Sequence, residues 1–216
     1  SAHGEIVLPL DETQLRADLQ IAKQDGIASV AIVLLHSYRY PEHERRALSV
    51  ARQLDFDHVS VSHETSPLMK LVSRGDTTLV DAYLSPVLNR YVGQVRSGLS
   101  TLLEKAPLLF MQSHGGLVHA DYFKGKDSIL SGPAGGVIGM VETGQAAGFD
   151  KLIGFDMGGT STDVSLFDGK LERTTSGNIA GVRLASPMLR IHTVAAGGGS
   201  ILKFLSSRLQ VGPGSA

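Results

Sequence analysis

One short segment constrains this chain more than any other: Asp156-Met157-Gly158-Gly159-Thr160-Ser161-Thr162-Asp163. An apolar run, Lys151-Leu152-Ile153-Gly154-Phe155, leads into it, and an alternating run, Val164-Ser165-Leu166-Phe167, leads out. The pattern predicts a β-hairpin built to face a phosphate. Glycines at the tip let backbone N–H groups approach an anion with no Cβ in the way. The hydroxyls of Thr160, Ser161 and Thr162 add donors. Asp156 and Asp163 cannot bind phosphate directly, so they point to a hard cation such as Mg2+ or to a positioned water. An ordinary tight turn also favours Gly-Gly and Thr. The two flanking acids tip the reading toward a phosphate site.

Composition narrows the rest. The chain has 216 residues, 42% apolar and 19% charged, enough for one large domain or parts of two with a real core. A net charge of −1 gives no electrostatic case for nucleic acid or an anionic membrane. The longest apolar runs, such as residues 27–35, are far shorter than a membrane span. No secretory signal pattern opens the sequence. Cysteine is absent, which removes disulfides, thiolate zinc sites and a cysteine nucleophile and agrees with a cytoplasmic location. The 25 glycines gather in the second half, so special backbone geometry is expected there.

The first half alternates helical and extended patterns. Residues 10–24 place Leu15, Leu19 and Ala22 on one helical face and stop at Gly26. Residues 29–35 form a β-branched apolar run suited to a strand covered on both faces. Helical spacing returns over 41–54, a strand pattern over 58–62, a long helix over 77–103 with a kink or break near Pro86, and a strand over 107–111. This alternation predicts an α/β fold with a largely parallel sheet. Residues 131–147 are small and apolar, with Ser131 as a cap and Pro133 in the first turn of a helix. That helix start serves equally well as a second anion contact or as a plain capped end.

From Lys151 the pattern changes to hairpins. Three successive antiparallel strands are expected over 152–155, 164–167 and 170–174, followed by extended sequence over 183–194. The chain then enters Ala195-Ala196-Gly197-Gly198-Gly199-Ser200, whose backbone N–H groups are expected to cradle phosphate or ribose. No Gly-x-x-x-x-Gly-Lys-Ser/Thr, Gly-x-Gly-x-x-Gly or Gly-x-Ser-x-Gly occurs, so P-loop, Rossmann and serine-hydrolase chemistries lack support. His58 and His63, and His114 and His119, are five apart, which does not match the helical metal spacing, and they read as core or surface residues. His114, just past a strand end, and His192, before the triple glycine, have some claim to a site. Lys126, Arg173 and Asn178 read as surface residues.

The 156–163 segment resembles the phosphate hairpin of the actin-like ATPase superfamily, and Thr193-Val194-Ala195-Ala196-Gly197-Gly198-Gly199-Ser200 resembles the glycine turn that meets the phosphates from the same half. Several segments, in order, resemble the hydantoinase A/5-oxoprolinase family more narrowly. They are Val33-Leu34-Leu35-His36-Ser37-Tyr38, Ser62-His63-Glu64, Arg74-Gly75-Asp76-Thr77-Thr78, Asp81-Ala82-Tyr83-Leu84-Ser85-Pro86, Gly115-Gly116, and residues 131–137, 154–164 and 192–200. The resemblance covers nearly the whole chain and is strongest to the ATP-hydrolysing 5-oxoprolinase branch.

The resemblance implies a partial ribonuclease-H-like, actin-like α/β fold: residues 1–149 the C-terminal part of the first lobe, and 150–216 the β-hairpin start of the second. It implies ATP and Mg2+, and a small cyclic amide as substrate. Gly158, Gly159, Thr160 and Ser161 would bind the phosphates, and Asp156 and Asp163 would orient the metal or its water. Gly197, Gly198, Gly199 and Ser200 would close over the other side. The implied reaction converts 5-oxo-L-proline to L-glutamate with ATP hydrolysis, by phosphorylating the lactam oxygen. Hydantoin hydrolysis, a subunit role in an acetone carboxylase, and a non-enzymatic ATP switch are the alternatives. The family is much longer and opens with its own Asp/Gly-Gly-Thr motif, whereas this chain has one such motif. The expectation is therefore an excised piece, with Ser1-Ala2 as a cloning scar, that needs the remainder of its own chain and has little ATPase activity alone. No nucleic-acid or membrane partner is implied, and a homo-oligomer is left open.

Overall fold

The computed structural model describes residues 1–99, 106–179 and 181–216, without the Pro213 side chain. Residues 100–103 of the expected long helix lie outside them. The helices are α1 (Glu12–Gln24), α2 (Glu42–Gln53), α3 (Ser62–Thr65), α4 (Leu71–Gly98), α5 (Gly125–Ser128) and α6 (Ser131–Ala146). Strands β1 (Ser29–Ile32), β2 (His58–Val61), β3 (Leu109–Met111) and β4 (Leu117–His119) precede α5. After α6 come β5 (Lys151–Met157), β6 (Thr162–Asp168), β7 (Arg173–Thr174), β8 (Gly177–Ile179) and β9 (Val182–Leu184). The chain ends with β10 (Met188–Leu189), β11 (His192–Val194), β12 (Ser200–Leu205) and β13 (Arg208–Ser215).

Two compact units divide the chain. One holds residues 1–110, 118–129 and 175–186, and the other holds 111–117, 130–174 and 187–216. Each unit draws on segments from both sides of residue 150. Helix α6 belongs with the strands that follow it, because it packs on β5, and the β8–β9 hairpin lies on α4.

In the first unit, the Asp11 carboxylate caps α1 by accepting the Gln14 N–H at 2.9 Å. β1 and β2 pair in parallel, Ser29 opposite His58 through Ile32 opposite Val61, with α2 as the crossover. β1 stops three residues short of the expected end. The Glu44 carboxylate takes the Leu34 N–H, and Arg74 takes the Leu34 and Leu35 carbonyls, so these backbone groups leave the ladder. α4 starts at Leu71 and runs through Pro86 unbroken, although Pro86 offers no N–H to the turn before it. Val92, Ala120 and Phe123 form an apolar cluster with Leu88, Leu108, Phe110 and Val118.

The polar centre of this unit is fully buried. Glu44 and Arg74 are each 0% exposed. Ser62 Oγ bridges them, donating to Glu44 at 2.6 Å and accepting from Arg74 Nε at 2.9 Å. Glu44 also accepts from Leu34 N–H at 2.8 Å, His63 N–H at 3.0 Å and His63 Nδ1 at 2.7 Å. Burial raises the Glu44 carboxyl, but these four hydrogen bonds reverse that and hold it below its ordinary value.

The second unit is built on an antiparallel sheet of order β11-β6-β5. Every other described register is also antiparallel apart from β1–β2, so the sheets are not largely parallel. The β5–β6 and β12–β13 connections, residues 158–161 and 206–207, are too short for a crossover helix and force antiparallel pairing. The third strand beside β6 is β11. Residues 170–174 meet β6 only at Leu171 opposite Phe167, and β7 pairs with β10 instead. α6 covers one sheet face. Gly154 leaves room for Met140 and Ser165, and Gly144 leaves room for Leu152. Ala134, Val137 and Leu189 seal this layer with Met111, Ile138, Met140, Leu171 and Ile191. Ser131 is the first helical residue and not the cap: Leu130 holds the cap position without a side-chain bond, and its N–H reaches Ser113 Oγ at 3.0 Å. A cap at Ser131 would aim at positions where Pro133 has no N–H to give. No described helix is long and apolar enough to cross a membrane.

The buried carboxylate predicts an acid-sensitive unit. A lowered folded-state pKa contributes stability that is complete above the unfolded group's range and is lost as pH falls through the folded value. Glu44→Gln should lower stability at neutral pH by on the order of 3 kcal/mol and flatten the acid side of the melting-temperature profile. Melting curves from neutral pH down to pH 3 test this; an unchanged acid slope in the variant would contradict it.

Candidate phosphate-facing site

Period-two alternation on β5 and β6 fixes which side chains share a face. Asp156 lies directly opposite Asp163, and Asp163 directly opposite Thr193 on β11. One rung of the sheet thus carries a hydroxyl and two carboxylates on the face that α6 covers. Thr193 Oγ1 donates to Asp163 Oδ1 at 2.6 Å. The Asp156 carboxylate lies 4.0 Å from where a Cβ on Gly136 of α6 would stand. A groove of about 500 Å³ runs along this face, lined by Pro133, Gly136, Met140, Ile153, Asp156 and Asp163.

The hairpin tip follows the rung. Gly158 N–H donates to the Ser161 carbonyl at 2.9 Å and closes the turn. The N–H groups of Gly159, Thr160 and Ser161 have no partner among the described residues. Gly159 and Thr160 are exposed, and Ser161 is half-buried. Such a run of unpartnered donors suits an anion. Thr162, expected as a third hydroxyl donor to phosphate, is instead buried and donates to the Ala196 carbonyl at 2.7 Å.

The triple-glycine loop sits against this tip and not across from it. Gly198 N–H donates to the Gly158 carbonyl at 2.9 Å, and Gly199 N–H to the Gly159 carbonyl at 2.8 Å. Gly197 N–H donates to Ser200 Oγ at 2.9 Å, and Ser200 N–H returns to the Gly197 carbonyl at 3.0 Å. The three glycine N–H groups expected to cradle an anion are therefore already engaged.

The acid pair fits Mg2+. Neither carboxylate is in an ion pair among the described residues. No described group of three or more His, Asp or Glu side chains is gathered to hold a metal. Mg2+ commonly uses one or two carboxylates, several waters and substrate phosphates, so two acids beside a phosphate turn match it.

The histidines do other work. His63 is a Glu44 partner. His58 shares a hydrogen bond with Ser60 Oγ at 3.0 Å, and Ser60 donates to Asp81 at 2.7 Å. Burial lowers the His58 pKa, with the Asp81 carboxylate opposing and Lys124 adding to the shift. His114 folds back on its own turn through Gln112 and Gly116. His192 opposes Val164, on the sheet face away from the acids. Of the three residues read as surface, Lys126 is instead held at Asp127 and Ser186 in the first unit. Thr193 is the site residue that sequence reading passed over; its strand parity, two before Ala195, was the available signal. The first unit has a groove of about 510 Å³ beside His36, Arg39 and His43, but it lacks the glycine-hydroxyl turn.

The chain is an α/β protein whose acid-flanked glycine hairpin is backed by a second glycine loop. It is a member of the hydantoinase/oxoprolinase family: residues 74–216 match that family, and residues 1–55 match its N-terminal region. The chain is 49% identical to the 5-oxoprolinase of Saccharomyces cerevisiae over 222 residues, covering 99% of this chain and 17% of that protein. The ATP-dependent caprolactamase of Pseudomonas jessenii matches in structure with a TM-score of 0.82 and 35% identity, over 99% of this chain and 32% of that one. A nucleotide-free acetone carboxylase matches with a TM-score of 0.82 and 28% identity, over 97% of this chain and 31% of that one. The chain thus spans about one sixth of the length of its curated 5-oxoprolinase relative.

Like charges directly opposite on a sheet are destabilising by about 0.2–1 kcal/mol. Asp156→Asn should therefore raise the melting temperature in metal-free buffer, and millimolar Mg2+ should stabilise the unchanged chain more than the variant. Calorimetric melts with and without Mg2+ check both; equal Mg2+ responses would argue against the acid pair as the metal position.

Proposed function

We propose that this chain supplies the phosphate-binding hairpin of an ATP-dependent hydrolase of cyclic amides, with 5-oxo-L-proline as the substrate. The observation that carries the reading is the tip of the β5–β6 hairpin: three successive N–H groups without partners among the described residues, next to two opposed carboxylates, in a chain of this family. The 49% identity to a 5-oxoprolinase and the likeness to a caprolactamase support a lactam as the substrate class.

A lactam is a poor electrophile, and binding alone does not change that. Transfer of the γ-phosphoryl group to the lactam oxygen expels ADP and makes the ring carbon reactive. Water then adds, and the C–N bond breaks as nitrogen takes up a proton. The acyl phosphate so formed gives carboxylate and phosphate with a second water. This chemistry needs positioning and charge stabilisation above all. In this reading Gly159, Thr160 and Ser161 present N–H groups to the transferred phosphoryl, each charge-assisted bond contributing about 1.5–3 kcal/mol. Thr160 and Ser161 add hydroxyls. Gly158 closes the turn that aims them. Asp156 and Asp163 would hold Mg2+, which, when bound, neutralises phosphate charge. Thr193 fixes one oxygen of Asp163 and leaves the other free. Gly197, Gly198, Gly199 and Ser200 serve the same site from behind the turn.

The test is a chimera in which this chain replaces the matching segment of the yeast 5-oxoprolinase. Once the chimera is shown to fold by its melting transition, phosphate release is measured with 5-oxoproline, caprolactam, hydantoin and acetone. The expected result is 5-oxoproline-dependent release that Asp156→Ala abolishes. Release indifferent to every cyclic amide would favour an ATP switch, acetone dependence would favour the carboxylase reading, and near-normal turnover of the Asp156→Ala chimera would remove the site assignment.

A further inference from the structure

We infer that the 195–200 loop is a back-plate for the phosphate turn, and that Gly197 is a positioning residue that sets the direction of the turn's N–H groups without touching ligand. The inference rests on the proposed reading of the 158–161 turn as the phosphate contact. Gly197 and Gly199 do not have positive φ, so backbone conformation does not demand glycine there. Space does. A Cβ on Gly197 would stand 2.5 Å from the Gly158 carbonyl oxygen, 2.7 Å from the Gly159 carbonyl carbon and 2.7 Å from the Thr160 nitrogen. All three are backbone atoms, so no side chain can swing aside to admit it. A Cβ on Gly199 would stand 3.0 Å from the Gly159 carbonyl oxygen. On Gly198 the nearest atom would be the Gly158 carbonyl oxygen at 3.8 Å, an ordinary contact.

Backbone contact this close has a directional consequence. The carbonyls of Gly158 and Gly159 are drawn toward the loop by the N–H groups of Gly198 and Gly199. A peptide unit is planar and trans, so its N–H points opposite to its C=O. Drawing these two carbonyls toward the loop turns the N–H groups of Gly159 and Thr160 away from it. Thr162 adds a third tie through the Ala196 carbonyl, and Ser200 closes the loop on itself. The donors are thus oriented before any ligand arrives, which removes an ordering cost from binding.

Amide-resolved hydrogen exchange and chemical shifts on the 15N-labelled 216-residue chain test this. Without ligand, the Gly198 and Gly199 amides should be protected and those of Gly159 and Thr160 should exchange freely. Gly197→Ala should move the Gly159, Thr160 and Ser161 resonances, whereas Gly198→Ala should move them far less. Added Mg·ATP should shift the 159–161 amides while 198 and 199 stay in place, and Gly197→Ala should weaken that binding about tenfold. Free exchange at Gly198 and Gly199, or hairpin amides unmoved by Gly197→Ala, would overturn the back-plate; the exchange pattern decides this even where the variant fails to fold. Absence of any Mg·ATP shift in the unchanged chain would instead count against the phosphate reading and leave the ligand-free outcomes to judge the back-plate.

Discussion

Two backbones meet with nothing between them. The carbonyls of Gly158 and Gly159 accept from the N–H groups of Gly198 and Gly199, and a Cβ on Gly197 would collide with the turn. Much else in the second unit is arranged to bring those segments together. The loop can reach the turn because β11 lies beside β6, with Val194, just before the loop, opposite Thr162, just after the turn. β11 reaches β6 because β10 is held by the Leu189 N–H bond to the Ser113 carbonyl and by pairing with β7. The sheet face with the acids is backed by a helix rich in glycine and alanine, which lets α6 approach closely.

The first unit is organised by an interaction of another kind. Glu44 and Arg74 are charged and out of water, a costly arrangement unless every polar atom finds a partner. They find them in Ser62, His63 and the carbonyls and N–H groups of residues 34, 35, 68 and 69. That network ends β1 early and ties it to α2, α3 and α4. Three of the family-like segments, around His36-Ser37-Tyr38, Ser62-His63-Glu64 and Arg74, converge on it.

What was legible in the sequence follows physical range. Asp156 and Asp163 could be placed at matching ends of two strands because alternation and a short turn are local signals. The helices over 12–24 and 42–53 were legible for the same reason. The back-plate was not, because its contacts join residues about forty positions apart and leave no periodic trace. Glycine in a run reads as freedom or as an anion cradle, and only coordinates distinguish these from steric exclusion. Lys126 read as a surface residue because Ser186, the partner that buries it beside the adjacent Asp127, becomes a neighbour only on folding. The β12–β13 hairpin was missed as a hairpin because its turn uses Ser206 and Ser207 at φ 50° and 62°, where Asn-Gly is the usual signal.

The acid pair and the glycine turn make sense only together. Two carboxylates on one rung repel each other and would repel a phosphate brought to the adjacent turn. Free N–H groups alone would accept any small anion, with no preference for a nucleotide. In the proposed reading, a divalent cation carried in with polyphosphate would satisfy both: the acids would gain the charge they lack, and the turn would gain the oxygens. On that proposal the back-plate would have a definite purpose. A cation held by carboxylates and a phosphoryl held by backbone donors must keep a fixed separation, and a free glycine hairpin is too pliable to set it. Docking that hairpin against a second, sterically locked backbone supplies the rigidity that its own composition withholds.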